Sequence, residues 1–139
     1  MTDSSISTAI LEKVARIVRL VKDLSRLRNE LAKYYPGLYS ITLRIRIPLG
    51  PFRELDCASY YYYHGKGPVC RATYDGVELV VFEDGSVSIY AEGVWRREDV
   101  EKILEALKAN EKAIDEIVEH LEREAERLRT NLAATMLLS

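Results

Sequence analysis

Apolar residues recur along the chain with two different periods, and each period predicts a different kind of element. Over residues 7–33 they are spaced by three and four, which predicts a long amphipathic helix. Over residues 40–47 they alternate with polar residues, which predicts a strand with one buried face that ends at Pro48. The chain therefore begins with a helix followed by a strand.

Three further strands follow, over residues 69–74, 77–83 and 86–91. The dipeptides Asp75-Gly76 and Asp84-Gly85 separate them, and both are typical of β-hairpin turns. The pattern therefore predicts a meander of antiparallel strands.

Helical spacing returns over residues 97–131, and it fails at residues 108–111, where we expect a break or bend. Residues 49–67 show neither period and are interpreted as irregular. We expect one α+β domain over residues 1–139: a long N-terminal helix, a four-stranded, mostly antiparallel sheet within 40–91, and a C-terminal helical segment packed on one sheet face.

Composition agrees with one globular domain, because 47% of the 139 residues are apolar and 30% are charged. No apolar run is long enough to span a membrane, so we expect no membrane partner. The polar start of the chain does not have the pattern of a signal peptide, which predicts an intracellular, cytoplasmic protein.

Charge and amide content add two expectations. The chain has no Gln and only three Asn, a bias expected of a protein from a hyperthermophile. Residues 1–53 hold ten Lys and Arg against four Asp and Glu, whereas residues 54–139 hold ten against eighteen. This asymmetry indicates either a basic half that docks on an acidic half, which we favour, or a nucleic-acid-binding face.

Residues 67–107 resemble one repeat of the TATA-binding protein. The resemblance rests on Val80-Val81-Phe82-Glu83-Asp84-Gly85 and on the passage from Gly93 to the acidic helix start before Val100. It implies that residues 40–47 are the first strand of the repeat and that residues 49–63 stand where the family has its first helix. A single repeat leaves a sheet edge open, which implies a homodimer in place of the tandem duplication.

Proteins of that family bend DNA with apolar wedges, and Phe82 matches one wedge position. If Leu79, Val81, Val87 and Ile89 face the helices, the opposite face is polar and carries Glu78, so DNA bending is not expected. The candidate nucleic-acid-binding residues on that face are Arg44, Arg46, Arg71, Phe82 and Tyr90. The alternative is a face covered by helices or by a second subunit, with its arginines paired to Glu.

Cys57, His64 and Cys70 allow several kinds of chemistry. Their spacing does not match a zinc site, and no third group completes a nucleophile and base pair. A Cys57–Cys70 disulfide is a stronger interpretation, since such bonds occur inside hyperthermophile cells. Two buried free thiols are favoured over both. We expect no catalytic residue, no metal and no cofactor.

Two further patterns each have a functional and a structural interpretation. The run Tyr60 to Tyr63 either grips a base or ligand, or forms an edge strand whose alternate rings pack on the core, which we favour. The heptad spacing of the first and last helices suits an antiparallel pair, an intersubunit bundle or ordinary packing on the sheet.

Two functional hypotheses follow. The first is a small, non-enzymatic nucleic-acid-binding protein, with nucleic acid as its partner and a regulatory role. The alternative is a homodimeric structural or adaptor protein that contacts other proteins and binds no nucleic acid.

Overall fold

The computed structural model describes residues 2–35, 42–51 and 53–139, with the side chains of the first helix described from Thr8 onward. The elements in chain order are α1 (Thr2–Ala32), β1 (Arg44–Gly50), β2 (Arg53–Ala58), β3 (Val69–Tyr74), β4 (Val77–Val81), β5 (Val87–Ala91), α2 (Arg97–Ala109) and α3 (Glu111–Leu138). The α+β class is confirmed.

The strands form one antiparallel sheet in the order β1-β2-β3-β4-β5. The expected count of four strands is wrong, because β2 lies inside residues 49–67, which the sequence leaves irregular. The same strand stands where the TATA-binding-protein resemblance implies a helix. Its Glu, Asp and Ala residues have low strand propensity, so pairing with β1 and β3 determines its conformation.

Pro48 does not end the first strand. It lies within β1 opposite Glu54 of β2, and the register shifts between Pro48 and Gly50. A proline is tolerated here because β1 is an edge strand, where an N–H can be missing without breaking a ladder. The expected strand start at residues 40–41 lies outside the described residues.

Both predicted hairpin turns are confirmed. Asp75 and Gly76 have φ of 47° and 78°, the left-handed pair that a two-residue turn requires. In the second turn the Gly85 N–H donates to the Phe82 carbonyl, and the Phe82 N–H donates to the Ser86 carbonyl, each at 3.0 Å. The flanking strands are shorter than expected, since β4 ends at Val81 and β5 begins at Val87.

The core lies between α1, α2 and one face of the sheet, called here the inner face. Its central rows run across the strands through Leu55, Ala72 and Leu79 and through Cys57, Cys70 and Val81, all of them buried. Cys57 and Cys70 are directly opposite one another and form a disulfide. The expectation of two free thiols is therefore wrong, because the pairing of β2 with β3 brings both sulfurs together.

Helix α3 lies along α1, and the two helices are parallel. Lys13 pairs with Asp115, Arg16 with Glu122 and Asp23 with Arg129, so both residue numbers rise together. An antiparallel pair, one of the arrangements that the heptads suit, is therefore not what forms. Two of these ion pairs join a base of α1 to an acid of α3, which supports docking of the basic helix on the acidic one, whereas the pair of Asp23 with Arg129 has the opposite polarity.

The C-terminal helical segment is bent as expected. Helix α2 ends at Ala109, Asn110 forms the turn, and α3 begins at Glu111. The Asn110 side chain donates to the Ala106 carbonyl at 2.8 Å and so satisfies one of the free carbonyls at the end of α2. Helix α3 then runs beyond the predicted end, to Leu138.

Candidate interaction surfaces

The sheet face opposite the core, called here the outer face, carries most of the residues that the sequence singles out. Strand alternation places Arg44 and Arg46 of β1, Arg71 of β3 and Tyr90 of β5 on this face. Phe82 directly follows β4. The structure therefore brings the predicted nucleic-acid-binding residues to one side of the sheet.

The β1 arginines are held by carboxylates of β2. Arg44 donates to both carboxylate oxygens of Asp56, at 2.9 and 2.8 Å, and Arg46 donates to both oxygens of Glu54 at 2.9 Å. Hydrogen bonding to these carboxylates raises the pKa of each guanidinium, so both stay charged. Two-point pairs of this kind fix the orientation of the guanidinium plane.

Asp56 interacts with three side chains on the outer face and is only 5% exposed. Besides Arg44, it accepts a hydrogen bond from the Tyr61 hydroxyl at 2.5 Å and lies 3.6 Å from Arg71. Burial acts to raise its pKa, but the hydrogen bonds from Arg44 and Tyr61 outweigh burial and hold the pKa below its ordinary value. The carboxylate therefore remains ionised and holds two strands and a tyrosine together.

Residues 59–68, called here the covering loop, fold over the outer face. The Tyr63 hydroxyl donates to Glu78, and the Tyr63 ring lies 5.2 Å from the Tyr90 ring. Arg71 packs 4.1 Å from the centre of the Tyr61 ring. Beneath the loop the outer-face residues Ala58, Val69 and Val80 are buried apart from the main core. The outer face is thus partly covered from within the chain.

Alternation within the tyrosine run agrees with the favoured interpretation in part. Tyr61 and Tyr63 are half-buried, whereas Tyr60 and Tyr62 are 48% and 61% exposed. The run does not form a strand of the sheet, however, and only its last residue, Tyr63, pairs with Lys66 across the small turn that follows. Its inward rings pack on the outer face rather than on the main core.

Phe82 lies beside the covering loop. The Lys66 ammonium stands 5.9 Å from its ring, and an open cavity of about 360 Å³ separates residues 65–68 from residues 82–84. Glu83 and Asp84 line the same cavity, so cationic and anionic side chains both face it.

Sequence reasoning missed Asp56, Glu54 and the role of the covering loop. The signal available was alternation in Arg53-Glu54-Leu55-Asp56-Cys57, which places the two acids on one face opposite Arg44 and Arg46. Because these residues were interpreted as part of an irregular segment, Glu54 and Asp56 were not placed opposite Arg46 and Arg44.

The outer edge of β5, with which no strand of residues 2–35, 42–51 and 53–139 pairs, is the second candidate surface. Strand β5 is last in the sheet order, and its residues Val87 to Ala91 carry no charge and no proline. The opposite edge, β1, carries Arg44, Arg46 and Pro48, which discourage pairing with another strand. The β5 edge has no such protection.

Apolar side chains flank this edge. Val87 is 41% exposed although it faces the same side as the buried Val81. Beyond the strand, Val94 is fully exposed and Trp95 is 44% exposed. We call Val87, Ile89, Val94 and Trp95, together with the β5 backbone, the edge patch.

No helix within residues 2–35, 42–51 and 53–139 is both long and apolar enough to cross a membrane. In the same described residues, no group of three or more His, Cys, Asp and Glu side chains is placed to hold a metal ion.

The fold defines an α+β protein with a five-stranded antiparallel meander, two helices on its inner face and a third along the first. No protein-family model, curated protein or solved structure matches the chain.

Proposed function

We propose that this is a non-enzymatic protein that acts through protein–protein contacts, and that the edge patch is its binding surface. The observation that carries the proposal is the contrast between the two sheet edges. The β1 edge has two arginines and a proline, whereas the β5 edge is uncharged, and Val87, Val94 and Trp95 beside it are exposed.

Strand addition is the mode of binding that such an edge supports. A partner in extended conformation would pair with the free backbone groups of β5, and its side chains would meet the apolar residues of the edge patch. Pairing supplies affinity for many sequences, while the apolar side chains select partners with alternating apolar residues.

A peptide selection tests this proposal. The whole protein is immobilised sparsely and presented with a phage library of random peptides. We expect enrichment of peptides with alternating apolar residues, which bind the wild type and lose binding to Ala91→Pro. Thr73→Lys, a substitution at an exposed site on β3 away from the edge, is the control and should bind as the wild type does. Failure of the library to enrich, or equal binding to Ala91→Pro, contradicts the proposal.

Nucleic-acid binding through the outer face is a second candidate. It is favoured by the gathering of Arg44, Arg46 and Arg71 on one face, with the exposed rings of Tyr60 and Tyr62 beside them. Opposing it, each of these arginines already has a carboxylate partner that phosphate would have to displace.

Anisotropy titrations with labelled single- and double-stranded DNA and RNA decide between the two candidates. Outer-face binding predicts affinity that falls steeply with salt and weakens on Arg46→Ala. Arg46 is suitable because its ion pair is exposed, so its loss leaves the fold intact. Arg97→Ala, at a side chain that is 91% exposed on α2, is the control. Absence of binding at low salt removes this candidate.

A further inference from the structure

We infer that the strand which fits the β5 edge is β5 of a second copy of this chain, so that two sheets join into one across a two-fold axis. This inference rests on the proposed function and names its partner. Three features of β5 support it: the backbone groups that point away from β4, the alternation of apolar and polar residues about Ile89, and the lack of charge from Val87 to Ala91.

The hairpin determines which backbone groups point outward. Phe82 donates its N–H to the Ser86 carbonyl at 3.0 Å, which makes that pair hydrogen-bonded. Hydrogen-bonded and non-hydrogen-bonded pairs alternate along an antiparallel ladder. Ser88 and Tyr90 therefore bond to β4, opposite Val80 and Glu78. The N–H and C=O groups of the remaining β5 residues point away from β4 towards the free edge, and these residues are Val87, Ile89 and Ala91.

One antiparallel register uses all of these groups. With the two-fold axis at Ile89, Ile89 of one copy lies opposite Ile89 of the second copy, and Val87 lies opposite Ala91 of the second copy. Each of these pairs is of the hydrogen-bonded type. A shift by two residues in either direction leaves one outward residue unpaired. The apolar residues of both copies then share the inner face, and Ser88 and Tyr90 share the outer face.

Charge also favours the second copy at this edge rather than at β1. Val87 to Ala91 carry no charge, so the paired strands do not repel each other. Two β1 strands would instead bring Arg44 and Arg46 of both copies together. The charges nearest to β5 in sequence are Asp84 and Glu92, which come within about two residue positions of each other across the axis. Added salt should therefore strengthen the dimer.

The small area of the contact limits the affinity of the dimer. A strand of five residues is about 17 Å long, which is short for a standard protein interface. The exposed side chains of Val87, Val94 and Trp95 extend the contact at both ends. We therefore expect a dissociation constant in the micromolar range rather than a permanent dimer.

Sedimentation equilibrium of the full chain, from micromolar to millimolar concentration, is the first test. Ala91→Pro removes an outward N–H and no bond to β4, so it should raise the dissociation constant about tenfold or more. Val87→Lys, which retains every backbone N–H, should also weaken the dimer. Thr73→Lys should have no effect, and circular dichroism confirms that each variant is folded.

Cysteine cross-linking tests the register. Because Cys57 and Cys70 are bonded, a single introduced cysteine is the only free thiol. In the proposed register two Ile89→Cys side chains meet at the axis, about 5 Å apart. Two Val87→Cys side chains are four positions apart, or about 14 Å. A short bis-maleimide should therefore link Ile89→Cys dimers efficiently and Val87→Cys dimers poorly.

These experiments distinguish failure of the dimer from failure of the proposed function. A chain that remains monomeric at millimolar concentration overturns the inference, and so does a dimer that Ala91→Pro and Val87→Lys leave unchanged. A dimer that salt weakens, or one that cross-links better through Val87→Cys, also overturns it. If the monomer still binds selected peptides and Ala91→Pro abolishes that binding, the proposed function stands without the second copy. If neither self-association nor peptide binding occurs, both fail.

Discussion

Asp56 and Arg44 form a two-point ion pair in which only one partner is buried. The side chain of Asp56 is 7% exposed, whereas that of Arg44 is 39% exposed. The carboxylate also binds Tyr61, which lies in the covering loop. This pair therefore links the edge strand β1, its neighbour β2 and the covering loop through one buried charge.

Replacing the carboxylate should destabilise the fold. Asp56→Asn removes the charge and leaves Arg44 and Tyr61 with a weaker acceptor, and we expect the free energy of unfolding to fall by about 1.5–3 kcal/mol. The loss should stay below that of a fully buried pair, because Arg44 can rehydrate. Glu54→Gln is the matched control, since Glu54 and Arg46 are more exposed, and it should cost less than about 1 kcal/mol. Urea denaturation measures both, and equal losses would contradict this role of Asp56.

Because of this carboxylate, we expect the free energy of unfolding to depend on pH. Its pKa in the folded chain is lowered from the ordinary value of 3.8, since the bonds from Arg44 and Tyr61 outweigh the effect of burial. A lowered pKa contributes stability that is present above the unfolded value and is lost as pH falls through the folded value. The stability difference between wild type and Asp56→Asn should therefore be constant from neutral pH to about pH 5 and shrink below 3.8. A difference that is unchanged at pH 3 would exclude Asp56 as the source.

Gly67 should be sensitive to the smallest substitution. A Cβ added at this position would collide with the Tyr61 carbonyl oxygen and lie 2.6 Å from the Tyr62 ring. We expect Gly67→Ala to destabilise the protein by about 1–3 kcal/mol and to speed hydrogen exchange in the covering loop. Gly93→Ala meets nothing within 4 Å and should change stability by less than about 0.5 kcal/mol. Thermal unfolding compares the two, and a neutral Gly67→Ala would show that the covering loop has room for a methyl group at this position.

Local signals in the sequence were sufficient for much of this fold. The turns at Asp75-Gly76 and Asp84-Gly85 follow from residues that adopt positive φ, and the break at Asn110 follows from polar residues where the heptad requires apolar ones. Strand β2 has a weaker local signal, because its alternation is confined to the five residues from Arg53 to Cys57 and includes Glu and Asp, which have low strand propensity. Its conformation depends on long-range pairing with β1 and β3, which neither composition nor period reveals.

On the outer face, too, the sequence was sufficient for some residues and not for their partners. Alternation correctly placed Arg44, Arg46 and Arg71 on one side of the sheet. Their carboxylate partners lie on the strand that was missed, so the arginines looked free for phosphate when they are paired with Asp56 and Glu54. The interpretation in which the arginines pair with acidic residues, raised from the sequence as an alternative, agrees with these contacts.

The disulfide joins β2 to β3, so its formation depends on the pairing of these two strands. Cys57 and Cys70 are fully buried, directly opposite one another and separated by 13 residues in sequence. Denatured protein without reductant should therefore resist alkylation by iodoacetamide, as measured by mass. Reduction, or the double substitution Cys57→Ala with Cys70→Ala, should lower the free energy of unfolding by about 3 kcal/mol, because the bond restricts the unfolded chain. Reduced wild type separates the loss of the bond from the loss of packing in the double variant. Addition of two alkyl groups before reduction would contradict the bond.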